Sequence, residues 1–183
     1  LAALLAGCAP GTQASESAAD GKLKVVTTIF PPYDFARAVS GGLADITMLL
    51  KPGAEVHSYD PTPADMIAIQ ECDVFIYIGG ENDAWVDTVL ASVDTSKKTI
   101  VKLMDAVKPV EEETVEGMQS EPGGTETEAG PAYDEHIWTS PKNAMLMVDA
   151  IAKAMEAADS TNAQQYEANA ADYTAQIDSV DKR

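Results

Sequence analysis

The chain has 183 residues, of which 45% are hydrophobic, and its 30 acidic against 12 basic side chains give a formal net charge of −18. This is a globular composition with a strongly acidic balance, and the length supports one domain with a real core. It excludes nucleic acid as a partner class, because phosphate binding needs an excess of Lys and Arg. No apolar run reaches the roughly 18 to 20 residues that cross a bilayer. Cations, small molecules and protein partners remain.

The first residues predict export and lipidation. Residues 1–8 lack an initiator Met and are typical of the end of a signal peptide whose basic part is missing. The run Leu5–Cys8 resembles a bacterial lipobox, in which small residues precede a Cys that is lipidated and becomes the mature N-terminus. Residues 9–21, rich in Ser, Ala, Gly and Thr, then form a flexible tether. We expect an extracytoplasmic protein anchored to the bacterial cell membrane through Cys8; a truncated helix with a buried Cys8 is the alternative.

Short β-branched or apolar runs predict four strands in the next part of the chain. As a group they lack sustained alternation between apolar and polar residues, which is typical of strands buried on both faces. Helix-like segments separate them, and this order implies an α/β fold with a parallel four-stranded sheet flanked by helices. The predicted strands are 24–29, 45–50, 73–78 and 99–103.

Helix signals lie between these strands. Pro31 and Pro32 end the first strand, and the helix that follows is predicted from Tyr33 to Val39, before two glycines. Thr62 is the expected N-cap of the next helix, with Pro63 in its first turn and Asp65 as a capping acid. A third helix is predicted over 83–93, with an apolar face that begins at Trp85.

An acidic segment then interrupts the pattern. Residues 111–135 contain nine acids and no Lys or Arg, so the segment repels itself and is predicted to be a mobile surface loop. One hypothesis is that it attracts cations weakly and raises their concentration near His136. The alternative is a solvated spacer without a role.

Two helices are predicted at the end of the chain. Ser140–Pro141 should begin the first, whose apolar side chains recur every three or four residues from Ala144 to Met155. The sequence 161–164 fits a capping box for the second, which carries one narrow apolar stripe from Tyr166 to Val180. The chain stops at Arg183 inside this pattern, so we expect it to be a fragment of a longer protein.

The two histidines are the candidate metal ligands. His57 lies in a Pro-containing loop directly after the second predicted strand, at the strand end where open α/β sheets bind ligands. His136 lies between the acidic segment and a helix N-terminus. Neutral imidazole is a good ligand for zinc and other first-row divalent ions. Either residue taken alone is more typical of a surface or hydrogen-bonded loop histidine than of a metal ligand, and spacing alone does not favour the metal site.

Four segments, taken in order, carry a resemblance to a known family. They are VVTTIFPPYDFARAVSGG, ITMLLKPGAEVHSYDPTPADM, DVFIYIGGENDAWVD and DEHIWTSPKNA. Together they resemble the N-terminal lobe of the zinc/manganese-type solute-binding lipoproteins of ABC importers, over about residues 22–183. The resemblance implies the two-lobed fold of periplasmic binding proteins, with a long rigid helix between the lobes and a metal ion held by two ligands from each lobe.

The same resemblance implies roles for particular parts of the chain. His57 matches the first metal ligand and His136 the second; residues 22–158 match the N-terminal metal-binding lobe, and residues 159–183 match the start of the connecting helix. A second lobe, absent from this chain, would supply a third His or Glu and a fourth Asp or Glu. The implied partners are a cognate ABC permease with its ATPase, a divalent metal ion, and the membrane through the lipid anchor.

Zn²⁺ is the expected transported ligand, with Mn²⁺ as the alternative. The loop before the second histidine is His-rich in many zinc-specific members and acidic here, but manganese members commonly lack a loop of this length. Binding requires neutral imidazoles, so affinity should fall as pH drops through the histidine range.

Other functions are weighed against transport. No nucleophile elbow or phosphate-binding glycine loop is present, so we expect no enzyme. A metal hydrolase built on His57 and His136 is one alternative. The other is a lipid-anchored surface adhesin or interaction protein without a transport role.

Overall fold

The computed structural model describes residues 21–54, 59–110 and 133–182. The predictions for Cys8 and the tether, for His57, and for the acidic segment over 111–132 lie outside these ranges. Within them, no helix is both long enough and apolar enough to span a bilayer.

A parallel sheet forms the centre of the fold, as predicted. Its strand order is β2-β1-β3-β4, and every neighbouring pair is parallel. Val25 of β1 stands opposite Ile46 of β2 on one side and Val74 of β3 on the other. The strands are β1 (Leu23–Thr27), β2 (Ala44–Met48), β3 (Val74–Tyr77) and β4 (Thr99–Lys102).

Helices cover both faces of the sheet, which confirms the predicted layers. Three of them, with Val25 and Ile76 of the sheet, enclose one core; the other two, with Val26 and Phe75, enclose a second. Alternate residues of β1 and β3 thus enter different cores, because successive side chains of a strand point to opposite faces. The first core is formed by α1 (Phe30–Ser40), α4 (Pro141–Ala158) and α5 (Ala163–Asp181), and the second by α2 (Pro63–Glu71) and α3 (Ala84–Ser92).

Helix α1 begins three residues earlier than predicted. The prolines that were expected to precede it lie in its first turn, after Ile29 as N-cap. A proline is tolerated there because the first N–H groups of a helix have no intrahelical acceptor. Phe30 therefore becomes helical and sits at the edge of the sheet with 57% of its surface exposed.

Most other predicted features of the helices are confirmed. Thr62 and Asp65 form a reciprocal capping box at the start of α2. Along α4, the predicted apolar face is buried at every position, and each fully buried aliphatic side chain contributes about 1.5 to 3 kcal/mol. That face comprises Ala144, Met147, Val148, Ile151 and Met155.

The predicted cap of α5 is wrong. Asn162 is its N-cap and makes no side-chain cap hydrogen bond. Asp159, which lies three residues earlier, accepts the backbone N–H groups of Thr161 at 3.2 Å and Asn162 at 3.4 Å. It also accepts the Asn162 side-chain amide at 2.7 Å and the Tyr166 hydroxyl at 2.8 Å. A carboxylate binds N–H groups at a helix N-terminus more strongly than the neutral side chains of 161–164 do.

Helix α5 is fixed to α1 by polar bonds as well as packing. The Asn169 side-chain amide donates to the Val39 carbonyl at 2.9 Å, and the Tyr173 hydroxyl donates to Asp34 at 3.0 Å. Gly41, with φ of +56°, ends α1 against Asn169, and a Cβ there would lie 2.5 Å from the amide nitrogen. The apolar stripe of α5 is buried at Tyr166 but 59% exposed at Val180.

Candidate metal centre

A cleft of about 260 Å³ lies at the carboxyl edge of the sheet. The segments that follow β1, β2 and β3 form its walls, together with the segment that precedes α4. This is the edge at which parallel α/β sheets bind ligands. The lining residues are Ile29, Phe30, Pro31, Leu50, Lys51, Pro52, Gly53, Ala54, Ile78, Asn82, Asp83, Glu135, His136 and Trp138.

His136, the predicted second ligand, lines this cleft with 68% of its side chain exposed. Its Nδ1 lies 2.9 Å from Oδ1 of Asp134, and the same oxygen accepts the His136 backbone N–H at 2.8 Å. We assign the proton to Nδ1 because an ionised carboxylate only accepts. These bonds lower the pKa of Asp134. The Nε2 lone pair is then available to a metal ion, the arrangement that carboxylate–histidine pairs produce in metal sites.

Further contacts hold the His136 backbone. The Thr139 hydroxyl donates to the His136 carbonyl at 2.7 Å, and the Thr139 backbone N–H donates to it at 3.0 Å. The Trp138 ring lies 5.4 Å from the imidazole, measured between centroids. Trp138 therefore lies beside the imidazole in a tilted arrangement.

His57, the predicted first ligand, lies outside the described residues. The residues before it, Lys51–Ala54, line the same cleft as His136. After it, Tyr59 packs edge-on against Trp85 with 5.1 Å between ring centroids. The segment before His57 thus lies in the wall of the cleft, and the segment after it packs against the core beneath α3. The role of His57 stays a prediction.

Asp83 is a buried carboxylate in the cleft wall that the sequence did not single out. Only 6% of its surface is exposed, and one carboxylate oxygen accepts the N–H groups of Ile78 and Gly79, each at 2.9 Å. Burial raises its pKa to about 6, against the opposing effect of the two N–H donors. The nearby Glu135 carboxylate raises this pKa further, while Lys102 lowers it.

Glu135 was counted in the acidic loop but makes defined contacts. Its carboxylate oxygens lie 3.0 and 3.3 Å from the backbone nitrogen of Asn82. Asp134, also counted in that loop, is held by a bond from its N–H to the Val110 carbonyl at 3.0 Å. The expectation of a mobile loop is therefore wrong for its last two residues. The only indication in the sequence that these two residues are ordered was their position next to His136. The long acidic run before them favoured the prediction of a mobile loop instead.

The described residues do not hold a complete metal site. Among them, no three His, Cys, Asp or Glu side chains are arranged to bind one metal ion.

Comparison with known proteins identifies the family. Residues 25–183 match the family described as zinc-uptake complex component A, periplasmic (ZnuA). The zinc-binding protein AdcA of Streptococcus pyogenes serotype M6 is 34% identical over 178 residues, which cover 93% of this chain. The match spans 35% of that relative's length. This chain thus corresponds to about a third of the curated relative.

Solved structures share the fold. The Zn(II)-bound AdcA of Streptococcus pneumoniae aligns with a TM-score of 0.72 and 29% identity, covering 88% of this chain and 32% of its own. The Mn-bound periplasmic metal-binding protein of Candidatus Liberibacter asiaticus aligns with a TM-score of 0.68 and 27% identity, covering 85% and 53%. The family match over residues 25–183 and the shared fold agree, and the chain belongs to the ZnuA family of zinc-uptake components.

Proposed function

We propose that this chain is part of the extracytoplasmic solute-binding component of a divalent-metal ABC importer. In this proposal His57 and His136 bind the ion together with donors from a second lobe, and the loaded protein delivers it to a permease and its ATPase. The observation that carries the proposal is the His136 ring at the cleft. Its Nδ1 bonds Asp134 at 2.9 Å, and Nε2 is left to bind a metal.

Zn²⁺ is the proposed substrate, with Mn²⁺ as the alternative. Two imidazoles suit zinc, whereas manganese favours sites richer in carboxylate and water. The relatives support this choice in part, since AdcA is named a zinc-binding protein and a neighbour was solved with manganese. The charge near the cleft, with Asp83 and Glu135 in its walls, attracts any divalent cation and does not discriminate.

The rest of the proposal concerns placement in the cell. Cys8 would carry the lipid anchor, and residues 9–21 would tether the folded body to the membrane. Residues 22–158 would form the N-terminal metal-binding lobe, and residues 159–183 the start of the connecting helix. A related lipoprotein, the zinc-binding lipoprotein AdcA of Streptococcus pneumoniae, supports this reading of the N-terminus. We propose no catalytic role.

The test is the effect of zinc on the melting temperature of the full-length protein. Zinc at about a hundred times its Kd should stabilise the folded state by about 2.7 kcal/mol, because it binds only that state. His57→Ala and His136→Ala should each reduce the shift, and the double variant should abolish it. Asp149→Asn, which alters an exposed carboxylate on α4, is the matched control and should keep the full shift.

Each contrary result has a distinct meaning. A full zinc shift in the double variant would overturn the assignment of both ligands. Absence of any metal shift in the wild type would favour an adhesin or interaction protein. A larger shift with manganese than with zinc at equal concentration would replace the proposed substrate by Mn²⁺.

A further inference from the structure

We propose that Glu135 is a positioning residue for His136, because its carboxylate ties the His136 segment to the turn that follows β3. This inference rests on the proposed function, since it takes His136 to be a metal ligand. Glu135 itself is assigned no bond to the metal.

The contact between Glu135 and the turn is close and spans 53 residues of sequence. Both carboxylate oxygens face the backbone nitrogen of Asn82, at 3.0 and 3.3 Å. That N–H belongs to the 3-10 turn Glu81–Asp83, which leads directly into α3. The first N–H groups of such a helical segment lack internal acceptors, so a side-chain oxygen that reaches one of them satisfies a donor that would otherwise be unpaired within the segment.

Gly80 makes room for this contact. It has a φ of +87°, and a Cβ built on it would collide with the Glu135 carboxylate. A residue with a side chain at this position would be strained by its backbone and would also displace Glu135. The close approach therefore depends on a glycine on one side of the contact and on a Glu on the other.

The turn is itself a fixed support. Asp83 accepts the N–H groups of Ile78 and Gly79, so a buried carboxylate closes the turn from inside. Gly79, with a φ of +99°, packs against the aliphatic part of Lys102. Because its N–H groups are hydrogen-bonded, the turn has few alternative conformations. A Glu135 side chain that is bonded to the turn is therefore restricted as well.

The two sides of His136 are held differently. On its C-terminal side Ile137 is 5% exposed and enters the core, which fixes the backbone there. On its N-terminal side the chain is exposed at Tyr133, and backbone contact is made through the Asp134 N–H. Glu135 supplies the side-chain contact that joins this side to the cleft wall.

Metal affinity depends on such contacts because ligand atoms must already be close to their bound positions. In other metal sites, the loss of a contact that supports a ligand typically lowers the metal affinity 10- to 100-fold. Positioning and simple charge attraction both predict that Glu135 matters, so the experiment has to separate hydrogen-bond reach from charge.

Two substitutions in the full-length protein separate them. Glu135→Gln removes the charge but keeps an acceptor oxygen at the same reach, whereas Glu135→Asp keeps the charge and withdraws it by one methylene. We expect Glu135→Gln to bind zinc within about threefold of the wild type and Glu135→Asp to weaken the zinc Kd about tenfold or more. Glu81→Gln removes a charge from an exposed position in the same turn, and as the matched control it should change the Kd less than about threefold.

A second readout reports on the ring and does not depend on affinity. NMR of the imidazole nitrogens in the metal-free protein gives the tautomer and shift of His136, assigned through the loss of its signal in His136→Ala. We expect the His136 nitrogen shifts to be preserved in Glu135→Gln and to move in Glu135→Asp. This measurement remains informative if either variant is destabilised, because it requires only the folded fraction.

The outcomes are distinguishable. If Glu135→Asp binds like the wild type while Glu135→Gln is weakened, Glu135 acts by charge and the proposal is wrong. The proposal also fails if both variants bind normally and the ring signals stay unchanged, while His136→Ala still loses zinc; the proposed function survives in that case. If His136→Ala retains full zinc affinity, the proposed function itself fails.

Discussion

Asp134 Oδ1 lies 2.9 Å from Nδ1 of His136 and 2.8 Å from the backbone N–H of the same residue. One oxygen therefore fixes both the ring and the backbone of the proposed ligand. The separation of two residues makes this possible, because a short acidic side chain reaches the N–H two residues on.

The first prediction concerns this carboxylate. Asp134→Ala should weaken zinc binding by about 10- to 100-fold, because the ring loses the acceptor that selects its Nδ1–H tautomer. Asp134→Asn, which keeps a carbonyl oxygen, should lose less. Competition against a chromophoric chelator in the full-length protein measures both, with Asp149→Asn as the control. Equal affinity for wild type and Asp134→Ala would show that Asp134 does not orient a ligand.

Asp83 leads to a prediction about pH and stability. Its pKa is raised from 3.8 to about 6 by burial, so the folded state binds a proton more tightly than the unfolded state. The contribution of Asp83 to the free energy of unfolding should therefore be highest below about pH 4. It should fall by about 2 to 3 kcal/mol as pH rises to about 6. Asp83→Asn keeps an acceptor for Ile78 and Gly79 and should remove this loss.

The measurement is urea denaturation of the metal-free protein at a series of pH values. The stability of Asp83→Asn relative to wild type should grow between about pH 4 and pH 7. Asp87→Asn removes an exposed carboxylate from α3 and reports the effect of net charge alone. A relative stability of Asp83→Asn that is flat across this range would contradict the prediction.

Tyr166 gives a prediction for the junction of α4 and α5. Its side chain is fully buried, and its hydroxyl donates to Asp159 at 2.8 Å. Tyr166→Phe should lower the free energy of unfolding by about 1.5 to 3 kcal/mol, the usual range for a hydrogen bond to a charged group. Tyr33→Phe, in the first turns of α1, is the comparison and should stay within about 0.5 kcal/mol. Chemical denaturation compares them, and equal losses for both variants would mean that the Asp159 bond contributes nothing specific.

The acidic segment can be tested separately because its anchor points meet. The Val110 carbonyl and the Asp134 N–H are bonded at 3.0 Å, so a short Gly/Ser linker can replace residues 111–132. The fold should keep its stability or gain about 1 kcal/mol from the shorter loop. If the segment attracts cations, the variant with the linker should bind zinc more slowly than the wild type at low ionic strength. In high salt, which screens the charges, the two proteins should bind zinc at the same rate. An unchanged rate in stopped-flow measurements at low salt would identify a spacer.

The sheet and its two layers of helices were predictable because their signals are local and repeated. Short β-branched runs predicted all four strands, and the spacing of Met147, Ile151 and Met155 predicted the buried face of α4. The start of α1 was not predictable, because Pro31 and Pro32 are typical both of strand ends and of first helical turns. The cap of α5 was missed for a similar reason, because two acceptors compete for the N–H groups at its start. The charged Asp159 binds them more strongly than the neutral side chains of the predicted capping box.

The candidate site was predictable only where the sequence carries a motif. The residues around His136 predicted it as a candidate ligand, and the structure places it at the cleft, whereas Asp134 was counted only as part of the acidic segment. Asp83 and Glu135 were missed because their partners are backbone N–H groups. Those of Asp83 belong to Ile78 and Gly79 close by in the chain, whereas that of Glu135 lies 53 residues away at Asn82. Side chains that bond backbone leave no complementary residue in the sequence, and an acid in a charged run then resembles a solvated one.

The bonds from Asn169 and Tyr173 to α1 have a consequence for rotational motion. A spectroscopic label on the exposed Val180 would sit about two turns beyond Tyr173 along α5. Its tumbling should report the rotation of the sheet, because the bonds from Asn169 and Tyr173 hold α5 to α1 within about two turns of the label. Angles measured from such a label to another part of the full-length protein would therefore describe the orientation of the cleft itself.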